Sequence, residues 1–243
     1  MRFWGITDTG LVREENQDAY SVNEVGKFTV AIVCDGMGGT NGGRLASSIA
    51  VQTYQEQLAH ALSDSMTAQQ IAQASAYCVS LANDAIRQKG AELPGYERMG
   101  TTLVSAVAWD EEALVTNIGD SRAYLITRGG ITRISKDHSV VENMIDNGEI
   151  TPEAARHHPK RNLITRALGP EHIAQADTFP VEWKQGDFLL LCSDGLVNTV
   201  SDQEILFEVI HNGEPGDCLN RLLELSHQRG APDNVTAVLL MNI

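Results

Sequence analysis

The sequence is short of cations. Its 18 Lys and Arg stand against 32 Asp and Glu, a formal net charge of −14 at pH 7 with histidine neutral. Nonspecific attachment to nucleic acid or to an anionic membrane surface draws on many Lys and Arg that displace counterions, so this balance argues against either. A phosphate can still be held locally, by metal ions or by a few placed arginines. Long apolar runs are missing too: nowhere do about 18 apolar residues follow one another, as a membrane-spanning helix requires. The opening residues Met1-Arg2-Phe3-Trp4-Gly5 show no basic stretch leading into an apolar run, so a cytoplasmic location is expected.

Cysteine is sparse. Cys34, Cys78, Cys192 and Cys218 form no CxxC pair, and Cys34 and Cys192 sit inside apolar runs. That suits buried thiols in a reducing compartment and leaves no zinc-ligand spacing. No Pro-, Ser- or Gly-rich linker interrupts the 243 residues, 42% of which are hydrophobic. One domain spanning residues 1–243 with a sizeable core is therefore expected.

The apolar residues that are present fall into patterns. Phe28 to Cys34 is a short run rich in β-branched residues that stops at Asp35-Gly36, and Asp187 to Ser193 repeats the design before Asp194-Gly195. Both read as buried strands ending in turns, each delivering a carboxylate to its mouth. Gly43 to Leu62 and Thr67 to Lys89 carry apolar or small residues at helical spacing without proline, which predicts two amphipathic helices. Segments 101–109, 113–118 and 122–127, separated by turns at Asp110-Glu111 and Gly119-Asp120, predict an antiparallel meander. The polar stretch from Lys136 to Gly169 reads as a surface excursion with a weak helical period near 140–147. Helices are expected at 205–210 and 219–228, and a closing strand at 235–241. The sum is an α+β layered domain, antiparallel sheets with helices outside.

Four aspartates stand beside strand ends: Asp35, Asp120, Asp194 and Asp233. Singly, each reads as a turn residue, because Asp hydrogen-bonds to its own backbone. As a set they have a second meaning. Asp-Gly after a buried strand lets a backbone carbonyl and a carboxylate face one point, and glycine leaves room there for an ion. Converging anionic oxygens repel unless cations lie among them, and an oxygen-only donor set suits Mg²⁺ or Mn²⁺. The stretch Arg13-Glu14-Glu15-Asn16-Gln17-Asp18 has two readings that composition leaves open. It is a solvated charged turn, or Arg13 is a fork for phosphate and Asp18 joins the acidic cluster.

In chain order, Arg13 to Asp18, Cys34-Asp35-Gly36-Met37-Gly38-Gly39, Gly100-Thr101-Thr102, Gly119-Asp120-Ser121-Arg122, Asp137-His138-Ser139, Ser193-Asp194-Gly195-Leu196 and Pro232-Asp233-Asn234 resemble the motifs of the metal-dependent type 2C protein phosphatases, especially the compact bacterial members. The resemblance runs over nearly the whole chain. It implies a sandwich of two antiparallel β-sheets flanked by helices on both sides, with metals in a cleft at one end and a flap at about 138–169.

Residue by residue, the resemblance implies that Asp35 bridges two ions and that the Gly36 carbonyl binds one of them. Asp194 and Asp233 complete the other ion's shell, and Asp18 holds metal-bound water. Asp120, with Asp194, marks a third and weaker ion, while Arg13 receives the substrate phosphate. The implied chemistry is direct attack on phosphoserine or phosphothreonine by a water bridging two Mn²⁺ or Mg²⁺ ions. The implied partners are phosphorylated proteins, a cognate serine/threonine kinase and its substrates in bacterial signalling, the phosphatase being a monomer. Two departures matter. Met37 stands where many eukaryotic members have histidine, and Thr40 where many bacterial members do, with Arg44 in place of a following glutamate. No general acid is identifiable, so a metal-bound water or a slower reaction is expected. The histidines read as surface or structural, His138 at the root of the flap being the best exception. Two other readings of the same site are a phosphatase of small phosphorylated metabolites and a catalytically weak adaptor.

Overall fold

Strands that separate two hydrophobic layers must be apolar on both faces, and the central strands of this chain are. The computed structural model describes residues 1–39, 42–211 and 213–243. One antiparallel sheet has the order β1 (Arg2–Asp8), β11 (Val235–Met241), β10 (Phe188–Cys192), β7 (Arg122–Thr127), β8 (Gly130–Arg133). The other runs β2 (Asp18–Val25), β3 (Phe28–Met37), β5 (Leu103–Trp109), β6 (Glu112–Ile118), β9 (Asp177–Glu182), with the short β4 (Gly100–Thr101) paired to the end of β3.

Side chains alternate along each strand, which splits every central strand between two cores. Ala31 and Val33 of β3 point between the sheets and meet Val104, Ala106, Leu189, Leu191, Val238 and Leu240. This middle layer also holds Ala108, Ala113 and Ala123, so small residues make up much of it. Val30, Ile32 and Cys34 point the other way, onto helices α1 (Gly42–Ala61) and α2 (Ala68–Glu92) through Tyr54, Leu58, Ile71 and Ile86. Leu190 and Cys192 of β10 likewise turn outward, onto α6 (Asp202–His211) and α7 (Pro215–Gln228) through Ile205, Val209, Leu219 and Leu222. Helices thus cover both outer faces. All four cysteines are buried and free.

Local signals set the helix ends. Thr67 caps α2 in a reciprocal box with Gln70, satisfying two orphan amides. Pro215 opens α7, where its missing N–H costs nothing. Both C-terminal helices begin a few residues earlier than expected. Among the described residues no helix is long and apolar enough to cross a membrane.

Two expectations need correction. The three segments from 101 to 127 are not one meander: β6 pairs with β5 and β9, whereas β7 pairs with β10 and β8 in the opposite sheet. The chain changes sheets at Gly119-Asp120. The excursion after Lys136 is also not wholly superficial. It forms α3 (Val140–Asp146) and α4 (Pro152–Ala155), capped by Ser139 and Thr151. Its roots, Asp137 to Ser139 and Ala167-Leu168, are buried.

Candidate active site

The site grows out of one end of the gap between the sheets. In β3, Ala31 and Val33 face that gap, and two residues further along the same face comes Asp35. Its cross-strand partner is Asp18, at the start of β2. Like charges directly opposite in a ladder are unfavourable, so this pairing itself asks for a cation. From the other sheet come Asp194, which opens the short helix α5 (Asp194–Val197) just after β10, and Asp233, just before β11. Asp120 sits at the crossing between the sheets. All five aspartates are partly exposed at this mouth. Two sheets therefore each supply a pair of carboxylates, and the crossover supplies the fifth.

Hydrogen bonds hold these groups from behind. The Asp35 carbonyl accepts from the Thr101 hydroxyl at 2.8 Å and the Thr102 amide at 2.9 Å, while the Asp35 amide donates to Thr102 Oγ1 at 2.9 Å. Thr102 Oγ1 in turn shares a hydrogen bond of 2.7 Å with Ser121 Oγ. That is the work of the Gly100-Thr101-Thr102 stretch. Gly36 is needed because any Cβ there would run into the Gly43 carbonyl at the start of α1 and lie 2.6 Å from the Gln17 carbonyl oxygen. The Ser193 hydroxyl donates to Asp18 Oδ2 at 2.8 Å, linking the two sheets at the site. Asn198 donates to Asp194 Oδ2 at 3.0 Å. Asn234 ties the loop before β2 to the loop before β11: its side chain donates to the Thr9 and Glu15 carbonyls and accepts from the Gln17 amide at 2.8 Å.

Arg13 is engaged. Its guanidinium donates Nε to Asp233 Oδ1 at 2.8 Å and Nη2 to Asp233 Oδ2 at 2.7 Å, a bidentate pair. The residue expected to take phosphate thus holds a residue expected to take metal. Two residues before Asp233, Ala231 is buried with φ at +30°, a rare non-glycine value that marks local backbone strain beside the site.

The five carboxylates are costly to ionise together. Burial, then repulsion from Asp18 and Asp194, pushes Asp35 well above the usual carboxylate range. Burial raises Asp18 to about 7 although Thr236 and Ser193 favour its charged form. Burial and the charge of Asp194 raise Asp120 to about 8. Asp194 moves up for the same reasons, with Asp233 its main opponent. Asp18 Oδ1 is buried without any hydrogen-bond partner. An acceptor with no donor, among like charges, is a group that a bound cation would satisfy. Among the described residues no three acidic, His or Cys side chains close on one point as a finished cage. Asp233 is turned toward Arg13. The donor set is all oxygen, which fits Mg²⁺ or Mn²⁺ and not zinc.

His138 is structural. It is 5% exposed, its amide donates to the Gly119 carbonyl at 2.8 Å, and its Nδ1 accepts from the Gly119 amide at 3.2 Å. Its Nε2 faces Asp177 Oδ2 at 3.0 Å. Arg122 grips Asp137 through three contacts of 2.6–3.0 Å. Together these fix the Asp120 turn to the root of the flap. Sequence reasoning missed Asp177, Asn234 and this Arg122–Asp137 pair as supports. Met37 ends β3 and Arg44 is exposed on α1; Thr40 lies outside the described residues.

A two-sheet sandwich with an oxygen-donor cluster at one end of the gap defines a class of proteins suited to hard divalent ions. Residues 12–230 match the family model described as protein phosphatase 2C, and the chain belongs to that family. It is 38% identical over 238 residues to the serine/threonine protein phosphatase PstP of Mycobacterium tuberculosis, a match that covers 98% of this chain and 44% of that relative. The chain thus spans less than half the length of that curated relative. The structure of the serine/threonine phosphatase of S. agalactiae superposes with a TM-score of 0.93 at 28% identity, covering 100% of this chain and 99% of that one. The catalytic domain of a PstP phosphatase in complex with two manganese ions superposes with a TM-score of 0.83 at 35% identity, covering 98% and 96%.

Proposed function

We propose that this chain is a bacterial serine/threonine phosphatase that hydrolyses phosphoserine and phosphothreonine in proteins with the help of two Mn²⁺ or Mg²⁺ ions. The observation that carries the reading is the buried, partnerless oxygen of Asp18 set among four further carboxylates from both sheets. The family and the manganese-bound relative support it. In this reading Asp35, the Gly36 carbonyl, Asp194 and Asp233 would hold the two ions, with Asp35 the ligand common to both; Asp18 would orient water beside them, and Asp120 with Asp194 would hold a third, weaker ion. Bound there, such ions neutralise the phosphate and lower the pKa of water.

The chain's own residues do the rest. Arg13, more than half exposed, can turn its fork from Asp233 to a phosphate, since both present paired oxygens at the same spacing. The exchange leaves Asp233 free to serve a cation. No histidine among the described residues hydrogen-bonds to any of the five aspartates, and in this reading water would protonate the leaving oxygen. We assign residues 1–243 to one monomeric catalytic domain working in the cytoplasm, where four free buried thiols are at home. Its partners are phosphorylated proteins, among them a cognate kinase and that kinase's substrates.

The test compares phosphothreonine and phosphoserine peptides, phosphotyrosine peptides and small phosphorylated metabolites, each with Mn²⁺ and with EDTA. The expected result is turnover of the first two that vanishes with chelator. Activity surviving EDTA would sink the two-ion site, and preference for metabolites would replace the protein substrate.

A further inference from the structure

In a chain so rich in acid, the stretch from Ala154 to Pro170 contains no Asp or Glu. It carries Arg156, Lys160, Arg161 and Arg166, together with His157 and His158. Arg166 pairs with Asp177 at 3.3 Å, and Arg156 exerts a weak pull on exposed Glu153. Lys160 and Arg161 are exposed and form no ion pair among the described residues. Between them and Arg166, Leu163 is 52% exposed.

These cations do not hang on a loose tail. The Val140 amide donates to the Leu163 carbonyl at 2.8 Å and the Thr165 amide to the His138 carbonyl at 2.7 Å. Thr101 and Leu168 exchange backbone bonds of 3.0 and 2.9 Å. Thr101 also holds the Asp35 carbonyl, and His138 holds Gly119 beside Asp120. The basic segment is thereby mounted on the same bonded frame as the carboxylates.

Solubility gives no reason for such a segment, because a net charge of −14 already secures it. A nucleic-acid surface would need cations spread far more widely. What the segment does supply is a local attractive field in a molecule whose overall field repels anions.

Resting on the phosphoprotein reading above, we propose that the segment from Arg156 to Arg166 is a substrate-recognition surface for acidic or further phosphorylated side chains flanking the residue to be dephosphorylated.

The experiment uses the full chain with Mn²⁺ and phosphothreonine peptides of equal length. Their flanks carry glutamates, a second phosphothreonine, neutral residues or lysines. Wild type is compared with the triple variant Arg156→Gln, Lys160→Gln, Arg161→Gln, and 4-nitrophenyl phosphate is the control substrate. Wild-type kcat/KM is expected to be about tenfold higher for anionic than for lysine flanks, the sum of three exposed charge pairs of ordinary strength. The difference should lie in KM and fade at about 0.5 M NaCl, where the screening length is only a few ångströms. The two anionic arms show whether carboxylate or phosphate is preferred. The triple variant should lose the preference and keep its rate on the aryl phosphate. A wild type that turns over every peptide without preference, or a preference indifferent to salt, would overturn this surface alone. Peptides left intact while the aryl phosphate is hydrolysed would overturn the phosphoprotein reading and this surface with it.

Discussion

Stripping the divalent ions should make this protein less stable as pH rises, the reverse of the usual behaviour of carboxylates. A carboxyl whose folded pKa lies above its unfolded value contributes stability below the unfolded value and loses it as pH climbs through the folded one. For Asp18 the window runs from 3.8 to about 7, and for Asp120 from 3.8 to about 8. Between pH 5.5 and 8.5 an unfolded Asp is already ionised, while folded Asp18 must still release most of its proton. At 1.36 kcal/mol per pKa unit, Asp18 alone costs on the order of 2 kcal/mol over that range. Protonating one carboxylate relieves its neighbours, so the cluster total stays within a few kcal/mol. Urea denaturation in EDTA should show the midpoint falling by about 1 M across the range. The Asp18→Asn variant should show a visibly shallower fall, which separates the cluster from the histidines that titrate in the same window. With saturating Mn²⁺ the trend should flatten or invert, because the ion binds the ionised site. A midpoint in EDTA that is constant or rises with pH, or a slope unchanged in Asp18→Asn, would refute the reasoning.

Three further outcomes are expected. Asp35→Asn should cut turnover by on the order of 10³-fold or more with an unchanged circular dichroism spectrum, and should raise the melting temperature in EDTA, since it removes one of the carboxyls that are costly to ionise together. Asp120→Asn should raise the Mn²⁺ concentration for half-maximal rate about tenfold, and an identical titration curve would remove the third ion. Arg122→Ala leaves Asp137, 7% exposed, buried without its main partner. It should cost about 3 kcal/mol in chemical denaturation, more than replacing both residues with apolar ones.

The central strands and their terminal aspartates were legible because strands buried on both faces write themselves as unbroken apolar runs. Phe28 to Cys34 and Phe188 to Cys192 are of this kind. The strands that sequence reasoning passed over, β1, β2, β8 and β9, are the four sheet edges. Half exposed, they mix polar and apolar residues as in Asp18 to Val25, and Pro180 in β9 is tolerated only because that strand is an edge. The same two-sided burial hid the change of sheet at Gly119, since β6 and β7 look alike in composition. The aspartate cluster could be read because its members abut strand ends. Asp177 lies in no motif, and the motifs that contain Arg122, Asp137 and Asn234 did not disclose what these residues hold, because their partners are set by tertiary contact.

The layer between the two sheets holds five alanines among larger residues, and each sheet carries one pair of the five carboxylates. The spacing of the site is therefore set by the gauge of that lining, as the gap of a vice is set by its shim. Ala106 lies opposite Ala31, four residues and about 13 Å along β3 from Asp35. A leucine there would wedge the slabs apart and shift one carboxylate pair against the other, so catalysis should fail well before the fold does.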